Sequence, residues 1–379
     1  MTPRSPRPAY LASAHVDAVA ARAPNNVPTT GDMGTTHHDV PVLAVAQSHL
    51  EGNTWSGGVV VLEATTTARL CELQLDTGVS SVAWCSGGSR GDVLVLGCDD
   101  GDVHVARVSM DEAWAVVPLG TSHSRDARNA GNQARSTRYG HDDVVTDVSC
   151  SNLVKTQMAT CSYDLTVKLW EIEAMDKSVT TFEGHTDLVW GVAMHPAHAH
   201  VLCSSSQDST VHVWDARQAP SAALVVHTLG QALSVDWHPN HSTVFSVGSE
   251  DGTVAAFDVR APHAPLTQRK IHGAAVHVLK YSPYHEDLLA SGGDDGQACV
   301  TTTSFTVDPT STNSGVRELR REDKKQAAHQ DYVRALDWFQ LPSSRSHEDE
   351  TLLATGSWDQ CVQQWRATEY TLDAPDITV

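Results

Sequence analysis

A short motif recurs along this chain and limits the folds that it can adopt. Its clearest copies are CSYDLTVKLW, SSQDSTVHVW, GSEDGTVAAF and GSWDQCVQQW, while GGDDGQACVT and GCDDGDVHVA fit the same frame. The aspartates that align in the six copies are Asp100, Asp164, Asp208, Asp251, Asp295 and Asp359. Successive aspartates are 64, 44, 43, 44 and 64 residues apart, so the repeat unit is close to 44 residues long. Such regular spacing indicates an array of similar units that stack on one another.

Each unit consists of short runs in which apolar and polar residues alternate, which is typical of β-strands. The unit around Asp208 reads LVWGVAMHP, VLCSSSQDS, TVHVWDAR and AALVVHT. A degenerate seventh unit, VPVLAVAQS with GGVVVLEA and RLCELQL, precedes the other six. A period near 44 is that of WD-repeat propeller blades. The sequence therefore predicts an all-β, seven-bladed WD40 β-propeller, since a closed ring leaves only short, protected strand edges.

The repeats also predict where the propeller begins and ends. We assign residues 39–369 to the propeller and residues 1–38 to a partly flexible N-terminal lead. That lead is expected to supply the strand that closes the ring, and the C-terminal tail, residues 370–379, is the alternative. Polar segments near 121–140, 306–326 and 341–350 lengthen two of the intervals and predict surface insertions.

Charge restricts the partners. The formal net charge is −20, and Lys and Arg number 26 against 46 acidic residues. That excess argues against direct binding to nucleic acid and favours basic partners, such as Arg-rich protein tails. No apolar run is long enough for a membrane span, and the N-terminus lacks the apolar core of a signal peptide. The eight cysteines form no C-x-x-C pair, and because the chain shows no secretory signal we predict reduced thiols and a location in the cytoplasm and nucleus.

Four residue types recur in fixed order within three of the repeats. They are His141, Ser162, Asp164 and Trp170; His185, Ser206, Asp208 and Trp214; and His329, Ser357, Asp359 and Trp365. A Ser–His–Asp set is also the pattern of a hydrolase, but a catalytic set is needed once and this set recurs with the repeat. We therefore predict structural tetrads in which Trp, Ser, His and Asp are linked by hydrogen bonds.

No motif of an enzyme or of a cofactor site stands out. The chain lacks G-x-x-x-x-G-K-[ST], H-E-x-x-H and G-x-S-x-G, so we predict no catalytic residues and no cofactor. The segment HPAHAH places His195, His198 and His200 close together, as in some metal sites. Because this segment lies in a turn between strands, where WD repeats usually carry His-Pro, we predict no metal there.

One tryptophan is placed where a core residue would not be expected. The segment SHLEGNTWSGGVVVLE puts Trp55 in the connection between two strands of the first blade, flanked by Asn53, Thr54 and Ser56. An indole at such a site either folds back on its own hairpin or fills a pocket on another protein. Tryptophan is prominent among interface hot spots, so Trp55 is a candidate anchor.

Several segments resemble one family, the WD-repeat methylosome protein 50 family. The Trp55 segment is similar to that family's Ser-x-Leu-x-Gly-x-x-Trp-x-Gly pattern. HDDVVTDVS (141–149), DWHPNHSTVFSVGSEDGTVAAFD (236–258) and AHQDYVRALDW (328–338) followed by GSWDQCVQQW resemble its third, fifth and last blades. The resemblance runs in patches from about residue 40 to 369; the insertions and the first 38 residues depart from the family.

The resemblance implies a non-catalytic scaffold in a hetero-oligomer. Its partner would be the type II protein arginine methyltransferase, whose N-terminal TIM barrel would receive Trp55, with Asn53, Thr54 and Ser56 beside it. The complex would make symmetric dimethylarginine in histone tails and in the core proteins of spliceosomal particles. The net negative charge agrees with the presentation of such basic substrates.

Two alternative functions remain. The ending Trp-Asp-Ala-Arg, with Asp215 and Arg217, resembles the adaptor-docking motif of substrate receptors of cullin-type ubiquitin ligases, and Phe257-Asp258-Val259-Arg260 repeats it weakly. A generic WD40 adaptor with another partner is the second alternative.

Overall fold

Seven four-stranded antiparallel sheets account for the 28 strands in the part of the chain that the structure describes. In this computed structural model the described residues are 10–22, 41–51, 54–88, 91–110, 114–121, 140–175, 177–286, 288–302, 316–318, 329–341 and 350–366. No helix within these ranges is long and apolar enough to cross a lipid bilayer. The innermost strand of each sheet packs against those of the two neighbouring sheets, and the first sheet meets the last. The predicted seven-bladed all-β ring is confirmed.

The strands follow one another in the same order in every blade. A short strand, β1 (Tyr10–Leu11), precedes blade 1, which contains β2 (His15–Arg22), β3 (Val42–Glu51), β4 (Thr54–Glu63) and β5 (Arg69–Leu75). Blade 2 contains β6 (Val79–Gly88), β7 (Gly91–Cys98), β8 (Val103–Met110) and β9 (Trp114–Thr121). Blade 3 contains β10 (Val145–Cys150), β11 (Gln157–Ser162), β12 (Thr166–Glu171) and β13 (Thr180–Glu183).

The remaining blades continue this order. Blade 4 contains β14 (Val189–Met194), β15 (Val201–Ser206), β16 (Thr210–Asp215) and β17 (Leu224–His227). Blade 5 contains β18 (Ala232–Trp237), β19 (Val244–Ser249), β20 (Thr253–Asp258) and β21 (Thr267–Lys270). Blade 6 contains β22 (Val276–Tyr281), β23 (Leu288–Gly293), β24 (Ala298–Thr302) and β25 (Val316–Glu318). Blade 7 contains β26 (Val333–Leu341), β27 (Glu350–Ser357) and β28 (Cys361–Arg366), with β1 as its outer strand.

The N-terminal segment contributes to two blades. Tyr10 pairs with Val362 and Leu11 with Cys361, which joins the first and last blades. Strand β2 is the innermost strand of blade 1, so a boundary at residue 38 places the start of the propeller too late. HVDAVAAR has small residues at most positions and gives a weak strand pattern, which is why the sequence did not reveal β2. The tail 370–379 and most of the predicted insertions lie outside the described residues.

The core lies between the blades rather than within one sheet. Val16 and Val19 of β2 pack in one apolar cluster with Leu62 of blade 1 and with Phe339 and Leu352 of blade 7. All five side chains are at most 5% exposed. Full burial of a side chain of this kind stabilises a fold by about 1.5–3 kcal/mol, so each blade depends on its neighbours.

Blades 2 and 3 are also joined covalently. Cys85 of β6 and Cys150, the last residue of β10, form a disulfide with 5.6 Å between their Cα atoms. The prediction that all cysteines are reduced is therefore wrong for this pair, and the other six cysteines are not in disulfide bonds. No local pattern predicts the pairing, because 65 residues separate the two cysteines, which meet only when the blades stack.

Candidate functional site

In blades 3, 4 and 7 an indole, a hydroxyl, an imidazole and a carboxylate form a hydrogen-bonded relay. In blade 3, Trp170 Nε1 donates to Thr160 Oγ1 at 2.8 Å, Thr160 Oγ1 lies 2.7 Å from His141 Nε2, and His141 Nδ1 lies 2.9 Å from Asp164. The equivalent residues are Trp214, Ser204, His185 and Asp208 in blade 4, and Trp365, Thr355, His329 and Asp359 in blade 7. Each relay ties two strands of its blade to the connection that enters the blade.

The relay hydroxyl is not the serine that the sequence suggested. Ser162 donates to the carbonyl of Asp143 at 2.9 Å and accepts the N–H of Asp164, so it caps the turn. Ser206 and Ser357 make the same contacts in their blades. Side chains alternate along a strand, so residues two apart share a face. Thr160 and Ser162 are such a pair; only Thr160 lies far enough inside β11 to reach both the indole and the imidazole.

The relay offers no nucleophile to a substrate. The hydroxyl residues Thr160, Ser204 and Thr355 are 0% exposed, and His141 is 1% exposed. Burial lowers the pKa of His141. Burial alone would raise the pKa of Asp164, but hydrogen bonds from His141 and Thr166 outweigh it and hold the pKa well below its usual value. A neutral imidazole that bridges a buried hydroxyl and a carboxylate stabilises the blade, and no carbonyl carbon can approach that hydroxyl.

In each of these relays the hydroxyl residue lies four positions before the turn aspartate. Blade 6 has it too: His272 lies 3.0 Å from Asp295 and 2.8 Å from Ser291, although Thr301 replaces the tryptophan. Blade 5 lacks it. There Val247 and Phe257 occupy the positions of the hydroxyl and the indole, and both are buried in one apolar cluster. Blade 5 thus replaces both the hydroxyl and the indole by apolar side chains, whereas blade 6 lacks the indole alone.

Two histidines and an aspartate in blade 4 lie close enough together to resemble the ligands of a metal site. Among the described residues, the ligand atoms of His185, Asp208 and His212 lie within 4.8 Å of one another. The two imidazoles are stacked, with ring centroids 3.9 Å apart and 18° between their planes. Nitrogen lone pairs lie in the ring planes, so stacked rings do not direct them at one ion. His185 also uses both nitrogens in its relay, and burial lowers the pKa of His212 to about 4.

In the segment HPAHAH, His195 stabilises a turn between two strands. His195 Nδ1 accepts the backbone N–H groups of Ala197 and His198, and its Nε2 lies 2.7 Å from the carbonyl of Ser242 in the next blade. His195 therefore uses both ring nitrogens within the fold. These contacts leave His195 no lone pair for a metal shared with His198 and His200.

The longest hairpin of blade 1 carries Trp55. Strands β3 and β4 have ten residues each, while the corresponding strands of blades 3, 4 and 5 have six. Gln47 pairs with Gly58 at the level where the other hairpins turn, and four further pairs follow, ending with Leu50↔Trp55 and Glu51↔Thr54. At about 3.4 Å per residue, the hairpin extends roughly 10–14 Å farther than its counterparts.

The backbone of Trp55 thus lies in a strand, not in the turn that the sequence predicted. Asn53 lies outside the described residues, Thr54 pairs with Glu51, and Ser56 is half-buried opposite His49. Side-chain atoms of Trp55 and Thr54 are outside the described part, so the protrusion of the indole stays a prediction. A strand holds Trp55 in a more fixed position than a loop would.

Glycines at the base of this hairpin permit close packing. A Cβ on Gly58 would lie 2.1 Å from the carbonyl oxygen of Leu73, and one on Gly57 would lie 2.3 Å from that of Gln47. Any side chain at either position would therefore push the hairpin away from its neighbours. The two glycines therefore allow the base of the Trp55 hairpin to pack closely against the neighbouring backbone.

We call the face that carries the turn aspartates Asp164, Asp208 and Asp359 and the connections between blades the upper face. The Trp55 hairpin extends from this face, because it links the same two strands of blade 1. On the opposite face lies the second candidate motif. Arg217 pairs with Asp215 through contacts of 2.9 Å from Nε and 2.6 Å from a terminal nitrogen, which lowers the pKa of Asp215 to about 2. The side chain of Arg217 remains 66% exposed.

The seven innermost strands surround a central channel with a cavity of about 170 Å³. Charged side chains inside it link neighbouring blades. Asp147 accepts the N–H of Val192 and Asp236 accepts that of Tyr281. Lys280 lies 3.0 Å from Asp337. Burial raises the pKa of Asp236 to about 7, although the Tyr281 N–H and Lys280 act in the opposite direction.

We expect Asp236→Asn to stabilise the protein at pH 8 and to flatten its pH dependence. The unfolded carboxyl has a pKa of about 3.9, so between about pH 4 and 7 the folded state binds more protons and the carboxylate costs stability as pH rises. Asparagine keeps an oxygen for the Tyr281 N–H. Since Asp236 lines a cavity large enough to hold water, which would reduce the cost of the charge, we expect a gain of about 1–2 kcal/mol at pH 8 and almost none at pH 4.

Urea unfolding at the two pH values measures this effect. Asp76→Asn, which removes an exposed carboxylate, is the matched control and should show no such difference. An equal change for Asp236→Asn at both pH values would show that folding does not raise the pKa of this carboxyl.

Sequence comparison identifies the repeats. The family described as "WD domain, G-beta repeat" matches residues 132–171, 176–215, 220–258 and 323–366, which are blades 3, 4, 5 and 7. The chain is a seven-bladed WD40 propeller. Three of the four matched blades of this WD40 propeller are those with complete relays, and the unmatched blades 1, 2 and 6 lack at least one relay residue.

Proteins of several kinds share the repeats of this WD40 propeller. Protein transport protein SEC13 of Coccidioides immitis (strain RS) is 39% identical over 89 residues, 23% of this chain and 28% of that protein. The transcriptional corepressor LEUNIG_HOMOLOG of Arabidopsis thaliana is 32% identical over 83 residues, 22% and 10% of the two chains. Coronin-7 of Rattus norvegicus is 28% identical over 170 residues, 44% and 17% of the two chains.

These matches span little more than a quarter of the SEC13 proteins and less of the other two relatives. They support a WD40-repeat protein whose general role is protein–protein interaction. WD40 propellers are typically non-catalytic scaffolds, which agrees with the buried relays.

Proposed function

We propose that this WD40 propeller is the non-catalytic, substrate-presenting partner of a type II protein arginine methyltransferase. The observation that carries the proposal is the extended hairpin of blade 1, which holds Trp55 beyond the level of the other hairpins. The complex would make symmetric dimethylarginine in histone tails and spliceosomal core proteins. It would act as a hetero-oligomer in the cytoplasm and nucleus.

Docking through the hairpin would use the rigidity of the strand pair. Because Trp55 is paired with Leu50, little backbone freedom would be lost when the indole enters a pocket in the N-terminal TIM barrel of the enzyme. Burial of an indole of about 200 Å² at about 25 cal/mol per Å² gives several kcal/mol. Asn53, Thr54 and Ser56 would contact the rim of the pocket.

The net charge supports the proposed presentation of basic substrates. A formal charge of −20 attracts Arg-rich tails over distances of about one Debye length, near 8–10 Å at physiological salt. Such steering raises the rate of encounter more than the final affinity. Substrate capture by the complex should therefore weaken as salt is added.

Co-purification tests the identity of the partner. The tagged propeller should recover the methyltransferase from a cell lysate, identified by mass spectrometry, and the recovered complex should methylate an Arg-rich peptide while the isolated propeller should not. The tagged Trp55→Ala variant should no longer recover the methyltransferase. Leu229→Ala is the matched control, since Leu229 is 85% exposed in a connection on the same face. Recovery of the enzyme by Trp55→Ala would overturn the docking proposal.

The ubiquitin-ligase alternative stays a prediction. The exposed side chain of Arg217 is held by Asp215, and Arg260 is held by Asp258 in the same way in blade 5. Two like pairs in consecutive blades fit a recurring turn contact as well as a docking motif. Recovery of a ligase adaptor instead of the methyltransferase would favour this alternative.

A further inference from the structure

The outer strand of blade 5 is open to solvent along its whole length. Strand β21 (Thr267–Lys270) is the last in the strand order of its sheet, and no other described strand pairs with its outer edge. All four of its residues are exposed. The corresponding strands of blades 3 and 4, β13 and β17, each bury one side chain. Strand β21 therefore presents both its backbone edge and its side chains to a partner.

Two replacements at the seam between blades 5 and 6 account for this exposure. In blade 3 the buried residue of the outer strand is Phe182, whose ring lies 5.2 Å from that of Trp214 in blade 4. Arg269 has the equivalent place in β21, opposite Val254, and Thr301 replaces the tryptophan in blade 6. Neither side chain supplies an apolar contact of that size, so blade 6 leaves β21 uncovered.

This part of the chain is basic, although the protein as a whole is acidic. Residues 259–285 contain no aspartate or glutamate, the longest such run in the sequence. Arg269 and Lys270 lie on β21, and neither forms an ion pair with another described residue. Asp258, the acid that precedes this run, is held by Arg260. Charges farther away than about 8 Å are largely screened at physiological salt, so the local charge decides which partner approaches β21.

We propose that an extended acidic segment of another protein adds a fifth strand to blade 5 by pairing with β21. Backbone hydrogen bonds to the open edge supply affinity, as in other cases in which a peptide strand joins a sheet. Carboxylates opposite Arg269 and Lys270 supply specificity, because opposite charges on neighbouring strands attract and like charges repel. Cations on an edge strand hinder pairing with basic or identical strands, so an acidic strand is the partner that they favour. The exposed acids Glu250 and Asp251 lie in the turn beyond Lys270 and mark the end of the site.

A labelled peptide with four Thr-Glu repeats is the probe, and fluorescence anisotropy with the purified protein at physiological salt is the measurement. The same peptide with glutamine in place of glutamate should bind at least about tenfold more weakly, because it lacks the charge. A peptide with proline in place of threonine keeps the charge but lacks N–H groups that strand pairing needs, and should also bind at least about tenfold more weakly. Hydrogen exchange of the amides of β21 should slow when the Thr-Glu peptide is bound.

Two double variants locate the site. Arg269→Glu with Lys270→Glu reverses both charges on β21 and should weaken binding of the Thr-Glu peptide at least about tenfold. Lys155→Glu with Lys177→Glu makes the same change in net charge at exposed positions of blade 3 and should alter binding less than about twofold. All four side chains are exposed, so the urea midpoints of both variants should agree with that of the wild type.

The proposal is overturned if the wild type does not bind the Thr-Glu peptide, or binds the glutamine or proline peptide equally well. It is also overturned if the two double variants behave alike, or if the peptide leaves the exchange of the β21 amides unchanged. Trp55→Ala should bind the peptide as the wild type does, because blade 1 lies three blades away from blade 5 around the ring. The result is therefore independent of docking to the methyltransferase.

Discussion

Replacement of Trp214 by alanine is expected to lower the free energy of unfolding by about 4–5 kcal/mol. Trp214 is completely buried, its ring lies 5.2 Å from that of Phe182, and its indole donates to Ser204. Removal of a large aromatic side chain from a core leaves a cavity and costs about 3–5 kcal/mol. The relay adds to this, because Ser204 would lose the donor that its oxygen accepts.

Blade 5 supplies the comparison that separates the packing from the relay. There phenylalanine occurs together with valine, as Phe257 and Val247. The double variant Trp214→Phe, Ser204→Val should therefore lose less free energy of unfolding than the sum of the losses of the two single variants. Urea unfolding of the four proteins gives the coupling, with Leu229→Ala as an exposed control near zero. A loss below about 1 kcal/mol for Trp214→Ala would contradict the relay account.

Reduction of the disulfide between Cys85 and Cys150 is expected to destabilise the protein by about 4 kcal/mol. The bond joins residues 65 apart and so closes a long loop in the unfolded chain. In the chain-entropy view, a loop of this length stabilises the folded state by about 4 kcal/mol relative to the reduced protein. The bond also joins the innermost strands of two blades, where separation would open the ring.

Two measurements check this expectation. Thiol titration of the unfolded, unreduced protein should find six thiols among the eight cysteines. A reducing agent should lower the urea midpoint of the wild type, but not that of the double variant Cys85→Ala, Cys150→Ala. Eight titratable thiols, or an equal response of the two proteins to the reducing agent, would refute the disulfide.

The sequence repeat was enough to predict most of the fold. Turn aspartates such as Asp164 and Asp208 predicted the blades, because a type of turn that recurs at one period implies one supersecondary unit. The periodicity could not reveal β2, because the small residues of this strand, which packs between two neighbouring blades, give only a weak alternation of apolar and polar positions. It also could not show that Thr160, rather than Ser162, completes the relay. That choice depends on how far each residue lies from the end of the strand, and both candidates are hydroxyl residues, so their identity does not decide it.

The candidate sites were predictable to a smaller extent. Trp55 stood out because an indole beside Asn, Thr and Gly has no local core, but the sequence placed it in a turn rather than in a strand. The contact between Asp17 and Trp358 could not be recognised, because the two residues are more than 300 positions apart. Contacts between the first and last blades exist only after the ring closes, so a local pattern does not contain them.

Binding to purified type II protein arginine methyltransferase tests the proposed role most directly. With the enzyme immobilised, surface plasmon resonance should show that Trp55→Ala raises Kd by about 30- to 1000-fold, the range of a hot-spot loss of about 2–4 kcal/mol. Leu229→Ala should bind as wild type does, and the urea midpoints of all three proteins should agree. Unchanged Kd for Trp55→Ala, or a fall in its urea midpoint that marks the indole as part of the blade, would contradict the account.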